Sequence, residues 1–439
     1  MFRLVITFVF ALMMSATAWA ANWNQSKSKD GFLCEVKSPK AYTSHGKKIK
    51  HVTREDGVTT FPGYYELPQN LKPCANDATL TFHYKKWLSE RHGPRFQARP
   101  SDSPRELKHS IKESEFLDKQ LQKNGVLSYL YFADEAIIYD AIAPQSRFGF
   151  PLNEKTEFRS NSIGKSIVSY LIGHAICAGH IKSVDEPLNS WPILNDTLYA
   201  DLKLIDVLNM RAGDHHVVTE NQGFIKTGRW FNPVSIKSAA LNELKGTKPQ
   251  NPKKYNYNGF ATNVAMNFMI FKVGDTWGSF LNSVFSEKIK AKNRVIFNKA
   301  DGSDDAGVGW YSAYATRHDY LRIAMAMMED WQKGTCVGEY LKELHERRIP
   351  KGKMFWGFDL HPSQARERSF FSSKYGGQFH FDYKGMENRN IIGMDGYGGQ
   401  SILIDMDNSR IVVVNATSTN YDWYELVYQP IKTGKLRSK

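Results

Sequence analysis

The sequence predicts an α/β (α+β) fold: an antiparallel sheet built from both ends of the chain, flanked by helices, with a mainly helical domain inserted between them. Three observations carry this. A helix-spaced segment and a pair of β-rich runs sit together at 116–143, and a second β-rich pair with a closing helix sits at 400–431. Between them, roughly residues 160–370, helical periodicity dominates.

Each element has a local reason. Phe116, Leu117 and Leu121 recur at helical spacing, and Gly125 supplies a stop. Val126–Phe132 and Ala136–Ala143 are β-rich runs joined by Ala133-Asp134-Glu135, the pattern of a hairpin. Ser162 opens a helix in which Ile163, Ile167, Tyr170, Leu171 and His174 repeat at three- and four-residue spacing. Phe379-His380-Phe381, following Tyr375, reads as a strand beside the last hairpin. That hairpin comprises Gln400–Met406 and Ile411–Asn415 around Asp407-Asn408-Ser409-Arg410, and Tyr421–Ile431 is a closing helix. Internal repetition is limited to Tyr-Gly-Gly-Gln at 375–378 and again at 397–400.

With 439 residues against about 150 per domain, one large domain plus an accessory segment is expected. Hydrophobic residues at 41% and charged residues at 23% exclude a wholly disordered or collagen-like chain. The net charge of +13 gives a basic surface, suited to an anionic envelope surface. No basic helix or aromatic RNA-binding motif is present, so nucleic acid is not an expected partner.

Arg3, the apolar run Leu4–Met14 and Ala18-Trp19-Ala20 form the pattern of a secretory signal at residues 1–20; a retained N-terminal anchor is the alternative. Export to the periplasm or outside the cell is therefore expected. No later stretch approaches about 20 uninterrupted apolar residues, so no transmembrane segment is expected after cleavage. Residues 21–108 are rich in Lys, Pro, Ser and Gly and read as an N-terminal extension, leaving 109–439 as the main domain. Cys34, Cys74, Cys177 and Cys336 allow three pairings. In an oxidising compartment Cys34–Cys74 is favoured, while Cys177 and Cys336 either pair or are buried thiols. Cys177-x-x-His180 lacks the second half of a metal motif.

Chemistry concentrates in Ser162-Ile163-Gly164-Lys165. Ser-x-x-Lys also occurs at Ser26/Lys29 and Ser44/Lys47, but those lie in an aperiodic basic segment, whereas Ser162 begins a periodic helix. Helical residues three apart have Cβ atoms about 5–6 Å apart, so Lys165 can reach the Ser162 hydroxyl. The helix N-terminus favours negative charge developing on that oxygen, and a partly desolvated lysine accepts the proton more readily. A phosphate-loop reading of Gly164-Lys165-Ser166 fails, because Arg159 stands where that motif needs glycine. His215 and His216 are adjacent and have no third ligand at suitable spacing, so a loop or core role is expected and no metal is assigned.

Phe158-Arg159-Ser160-Asn161-Ser162-Ile163-Gly164-Lys165-Ser166 resembles the first motif of the serine β-lactamase and penicillin-binding protein superfamily. The resemblance is to its class C-like branch, which includes esterases and 6-aminohexanoate-dimer hydrolases. Leu204–Gly213 and Ser312–Arg322 resemble two further segments of that branch, in the same order along the chain. The branch's second motif is Tyr-x-Asn, with tyrosine as general base. In Tyr255-Asn256-Tyr257-Asn258-Gly259, the downstream Thr262-Asn263-Val264-Ala265-Met266 aligns best when Tyr257 is that base, with Tyr255 as the alternative. Gly259 then stands where asparagine is usual, and Asn258 is the substitute for substrate contact.

Gly396-Tyr397-Gly398-Gly399-Gln400 resembles the third-motif region of the dimer-hydrolase relatives. The literal Lys432-Thr433-Gly434 follows the closing helix with no strand after it, and is a decoy. Glycines at 398 and 399 let the backbone approach a substrate, and a main-chain N–H there would pair with that of Ser162 as an oxyanion hole.

The resemblance implies a serine hydrolase that forms an acyl-enzyme on Ser162. Lys165 and Tyr257 manage its proton, and Tyr397, Gly398, Gly399, Gln400 and Asn258 bind substrate or oxyanion. It implies no cofactor or metal, and a small-molecule amide or ester substrate. The competing readings are a β-lactamase or D-Ala-D-Ala carboxypeptidase acting on the cell wall, and a non-catalytic envelope-binding or sensor protein of the same fold.

Overall fold

Apolar strands from the two ends of the chain meet in one antiparallel sheet, and the helix that begins at Ser162 is packed beneath it. The computed structural model describes residues 52–53, 59–60, 95–144, 152–218, 236–299, 309–352, 371–416 and 421–439. The chain divides into two units, Met1–Ser89 with Ala143–Leu152, and Glu90–Ile142 with Asn153–Lys439. The first contains the antiparallel pair β1 (Val52–Thr53) and β2 (Thr59–Thr60). Everything below concerns the second.

Its elements run β3 (Arg95–Ala98), α1 (Glu115–Lys123), β4 (Val126–Ala133), β5 (Ala136–Ile142), β6 (Glu157–Arg159), α2 (Ile163–Cys177), α3 (Leu204–Leu208) and α4 (Gly259–Val273). There follow β7 (Val295–Lys299), β8 (Gly309–Thr316), α5 (Arg317–Lys333), α6 (Cys336–Glu346), β9 (Ile349–Pro350) and β10 (Ser372–Gly376). The chain ends with β11 (Phe379–Tyr383), β12 (Ile391–Gly396), β13 (Gln400–Asp405), β14 (Arg410–Ala416) and α7 (Gln429–Thr433).

The large sheet has the order β5-β4-β14-β13-β12-β11-β10-β9. β14 from the end of the chain pairs with β4 from its first half, Ile411 facing Phe132 and Val414 facing Tyr129. β4 is buried along its whole length, so both of its faces are covered, which is why it reads as a continuous apolar run rather than an alternation. The β4–β5 and β13–β14 hairpins and α1 stand where the sequence predicts them. The closing helix starts later than expected, with a wide turn at Tyr424–Tyr428 before α7.

A second sheet, of order β3-β7-β8-β6, was not anticipated. Arg95–Ala98, inside the stretch read as an extension, pairs in register with Val295–Asn298. Four polar-flanked residues show no sequence period of their own, and β3 exists because β7 offers it an edge.

α2 is buried nearly all round, contacting α4, α6, β8 and β12. Its wholly buried Val168, Leu171 and Ile172 each contribute about 1.5–3 kcal/mol of apolar burial. Its far end is fixed by a Cys177–Cys336 disulfide to the start of α6, with Cα atoms 5.9 Å apart. Cys34 and Cys74 lie outside the described residues. Lys432-Thr433-Gly434 ends α7, Gly434 closing the helix in the left-handed conformation (φ +74°), as a helix terminus rather than a strand motif.

Candidate active site

Three connections bring Ser162 to its place. Leaving β6, Ser160 donates its N–H to Ala313 O at 2.8 Å and accepts the Ala313 N–H on Oγ at 2.7 Å, fastening the chain to β8. Asn161 then turns the chain in the left-handed region (φ +48°), a conformation asparagine tolerates, and Ser162 caps α2. Finally, Asn161 Nδ2 donates to the main-chain oxygen of Tyr397 at 2.7 Å, tying the serine segment to the β12–β13 turn. At Gly164, a Cβ would lie 2.0 Å from Tyr311 O, so only glycine lets β8 press against the first turn of α2.

That approach delivers a residue the sequence reading did not single out. The phenols of Tyr257 and Tyr311 both lie near enough to the Ser162 hydroxyl to feel it. Lys165, 1% exposed, holds Nζ 3.6 Å from the centre of the Tyr311 ring and 5.2 Å from that of Tyr257. Burial drives the lysine's pKa well below its ordinary value. Burial raises both phenols; the Ser162 hydroxyl opposes it at Tyr257, and the Arg159 charge and then the Ser162 hydroxyl oppose it at Tyr311. The amine is thus poised to accept a proton, while the two tyrosines keep theirs.

The Tyr255–Gly259 segment is held by Asp214, which is buried and accepts Tyr199 Oη at 2.7 Å, Asn256 Nδ2 at 2.8 Å and Asn258 Nδ2 at 3.2 Å. Asn258 Oδ1 accepts the Ala261 N–H at 2.8 Å and caps α4. Its amide thus helps to build the turn that enters α4. Gly259 abuts the new tyrosine: a Cβ there would stand 3.1 Å from Tyr311 Cε1 and 3.2 Å from its hydroxyl oxygen. Tyr311 fills space that a side chain at 259 would otherwise claim. Tyr255 packs on Tyr375, ring centres 5.3 Å apart, and Tyr257 is the tyrosine beside Ser162.

In the β12–β13 turn, Gly398 and Gly399 have φ of +77° and +96°. The Gly399 N–H donates to Gly396 O at 3.1 Å and closes the turn, while its carbonyl accepts Tyr421 Oη at 2.7 Å. Tyr397 is 52% exposed at the tip. Gln400 points the other way: it is buried, and its side-chain amide bonds Ala416 and Asn415 of β14. The other Tyr-Gly-Gly-Gln copy is built alike. Gln378 is buried in the β10–β11 turn, donating to Leu208 O at 2.9 Å and accepting Thr262 Oγ1 at 2.8 Å.

Beside Tyr257 lies a polar group that no motif announces. Asp395 of β12, which accepts Ser401 Oγ at 3.1 Å, contributes to the raised pKa of Tyr257. Lys351, 4% exposed, hydrogen-bonds Ser372 Oγ, and burial pushes its pKa down to about 7 against the pull of Asp395. The His380 ring, 6.5 Å from that of Tyr257, is kept neutral first by burial and then by Lys351. His215 and His216 sit in the turn after Gly213 and join no metal-ligating group among the described residues.

No protein-family profile matches the chain, and no curated protein does. Solved structures do. A candidate 6-aminohexanoate-dimer hydrolase from Bacillus anthracis superposes with TM-score 0.57 at 11% identity, over 81% of this chain and 93% of that one. A candidate beta-lactamase from Bacteroides dorei superposes with TM-score 0.51 at 14% identity, over 72% of this chain and 95% of that one. The chain shares the fold of these two structures, a β-lactamase-like fold, as the motif resemblance implied.

Proposed function

We propose that the protein is an exported serine hydrolase that cleaves a small amide or ester through an acyl-enzyme on Ser162. The observation that carries this reading is a buried lysine, one helical turn from Ser162, packed on the rings of two tyrosines whose phenols lie near the serine hydroxyl. A serine hydroxyl is a weak nucleophile until a neighbouring base takes its proton. Lys165, whose pKa burial lowers, is that acceptor, and Tyr257 or Tyr311 relays the proton between oxygen and amine. The departing amine or alcohol then takes a proton from Tyr257, which regains one from Lys165, and water reverses the sequence to release the acyl group and restore the Ser162 hydroxyl. The Ser162 N–H and a main-chain N–H of the 397–399 turn are the proposed oxyanion donors, each worth about 3 kcal/mol in sites of this type. The export half of the proposal rests on the signal-like residues 1–20; no helix among the described residues is long and apolar enough to cross a membrane.

The test is covalent labelling by a fluorophosphonate. Labelling is expected on Ser162, lost in Ser162→Ala, and reduced at least a hundredfold in Lys165→Ala, in line with loss of a positioned base. Undiminished labelling of Ser162→Ala would sink the assignment, and an unlabelled, folded wild-type protein would favour the non-catalytic envelope-binding reading.

A further inference from the structure

Apart from the serine, two imidazoles converge on one carboxylate oxygen. His109 Nε2 lies 3.3 Å from Asp140 Oδ2, and His318 Nε2 lies 2.9 Å from the same atom. One ligand atom from each of the three residues lies within 4.8 Å of the others. Zinc binds imidazole nitrogen at about 2.0–2.1 Å and carboxylate oxygen at about 2.0–2.2 Å, so neighbouring ligand atoms in a tetrahedral site stand about 3.3 Å apart. Two edges of this triangle are already close to that length.

The surroundings are those of a ligand set. The opposite nitrogen of His318, Nδ1, stands 3.0 Å from Glu154 Oε2. A carboxylate on the far nitrogen fixes the tautomer of a metal-bound histidine and raises its basicity. Arg317 does not enter this triangle. Its guanidinium pairs with the other oxygen of Asp140, Oδ1, and with Glu154 Oε1 at 2.7 Å, leaving Oδ2 to the histidines. His109 has the most freedom to close the triangle, its side chain being 46% exposed.

We propose that His109, Asp140 and His318 form a divalent-metal site of the zinc class, with Glu154 as the outer support of His318 and water in the fourth position. Imidazole with one carboxylate suits zinc, cobalt and nickel rather than magnesium or calcium. The three ligands come from separate parts of the fold: His109 from the segment bridged to Ile137, Asp140 from β5, and His318 from the first turn of α5. A bound ion clamps the N-terminal segment to the large sheet and to α5.

The test uses tag-free, full-length protein freed of metal by chelation. Titration with Zn2+ is expected to show one saturable site by calorimetry and a rise in the unfolding midpoint, and Co2+ is expected to give the intense visible absorption of a tetrahedral site. His109→Gln changes a half-exposed residue and leaves the fold intact; it should weaken Zn2+ binding at least tenfold and abolish the cobalt band. Glu154→Gln should weaken it about 10- to 100-fold as an outer-support change. His180→Gln, a distant control, should change nothing. Absence of saturable Zn2+ binding at micromolar concentration would leave a plain ion-pair cluster and overturn the proposal. Binding undiminished in His109→Gln would overturn it equally, by placing the metal elsewhere.

Discussion

The Lys165 ammonium nitrogen stands 3.6 Å above the centre of the Tyr311 ring, and the edge of that ring lies against Gly259. Two departures from the usual pattern are thus one arrangement. Where an asparagine is expected, a glycine leaves room, and a tyrosine from β8 occupies it, offering its hydroxyl to Ser162 and its face to Lys165. The ring face attracts the protonated lysine by about 0.5–2 kcal/mol, opposing the burial that neutralises it.

Tyr311 therefore has two separable effects. Tyr311→Phe keeps the ring and removes the hydroxyl near Ser162, and should lower kcat/KM about tenfold without moving its pH profile. Tyr311→Leu also removes the ring face. Because only the neutral amine accepts a proton, kcat/KM rises with pH through the pKa of Lys165, and losing the attraction to the ammonium moves that rise to lower pH by about one unit. An identical pH profile for the two variants would refute the role of the ring.

Lys351 allows a stability test that is independent of turnover. Its pKa is depressed by burial from 10.5 to about 7. Below pH 7 both folded and unfolded chains carry the proton, so the folded state bears the full penalty of a buried charge. Between about pH 7 and 10.5 the unfolded chain binds more protons, and stability rises with pH. The shift sets an upper bound on that rise of about 4–5 kcal/mol. In denaturant titrations, wild type should gain stability relative to Lys351→Met as pH increases across this window; parallel curves would mean that the lysine is not desolvated.

How much of this was legible in the sequence depends on what each residue answers to. The hairpins 126–142 and 400–416 were readable because their apolar runs and turn residues are local. Ser162 and Lys165 were readable because helical spacing alone makes them neighbours. Tyr311 and Lys351 were not, since neither belongs to a local pattern: Tyr311 acts because Gly164 and Gly259 make room for it, and Lys351 because β9 adds to a distant sheet edge. Asp395 stood next to Gly396 in plain view, but an acidic residue at a strand end reads as solvated until its neighbours are known. The surroundings of Gln400 and Asn258 were not legible either: both are amides beside motif positions, and the structure shows each bonded within the fold, Gln400 to β14 and Asn258 to Asp214 and the start of α4.

The Cys177–Cys336 bond spans a sequence separation of 159 residues and fixes the end of the helix that Ser162 begins. On the chain-entropy argument, closing a loop of that length contributes about 5 kcal/mol. Cys177→Ala/Cys336→Ala should unfold at markedly lower temperature than wild type. Comparison of the two with and without reductant isolates this bond from any contribution of Cys34 and Cys74. Equal midpoints for oxidised wild type and the double variant would show that the bond does not form.

Substrate preference follows from charge at the β12–β13 turn. β-Lactamase branches place a lysine there, opposite the carboxylate of the substrate, and Gly396, Tyr397 and Gly398 bring none. A buried lysine outside the motifs, Lys351, is engaged with Ser372 and lies in the field of Asp395, whose negative charge repels a carboxylate. Loss of a charge-assisted hydrogen bond forfeits about 1.5–3 kcal/mol, or roughly ten- to a hundredfold in transition-state binding. The exposed Tyr397 offers an aromatic face and a hydroxyl instead, which suits a neutral acyl or leaving group. A short-chain p-nitrophenyl ester should therefore be turned over with a higher kcat/KM than nitrocefin on the same preparation. Tyr397→Ala should lower ester turnover mainly through KM, since it removes binding surface rather than a reacting group. Asp395→Asn should narrow the gap by relieving the repulsion, raising nitrocefin turnover relative to ester. Efficient nitrocefin hydrolysis by wild type with negligible ester hydrolysis would reverse the reading, and would mean that Lys351 serves a substrate carboxylate despite Asp395.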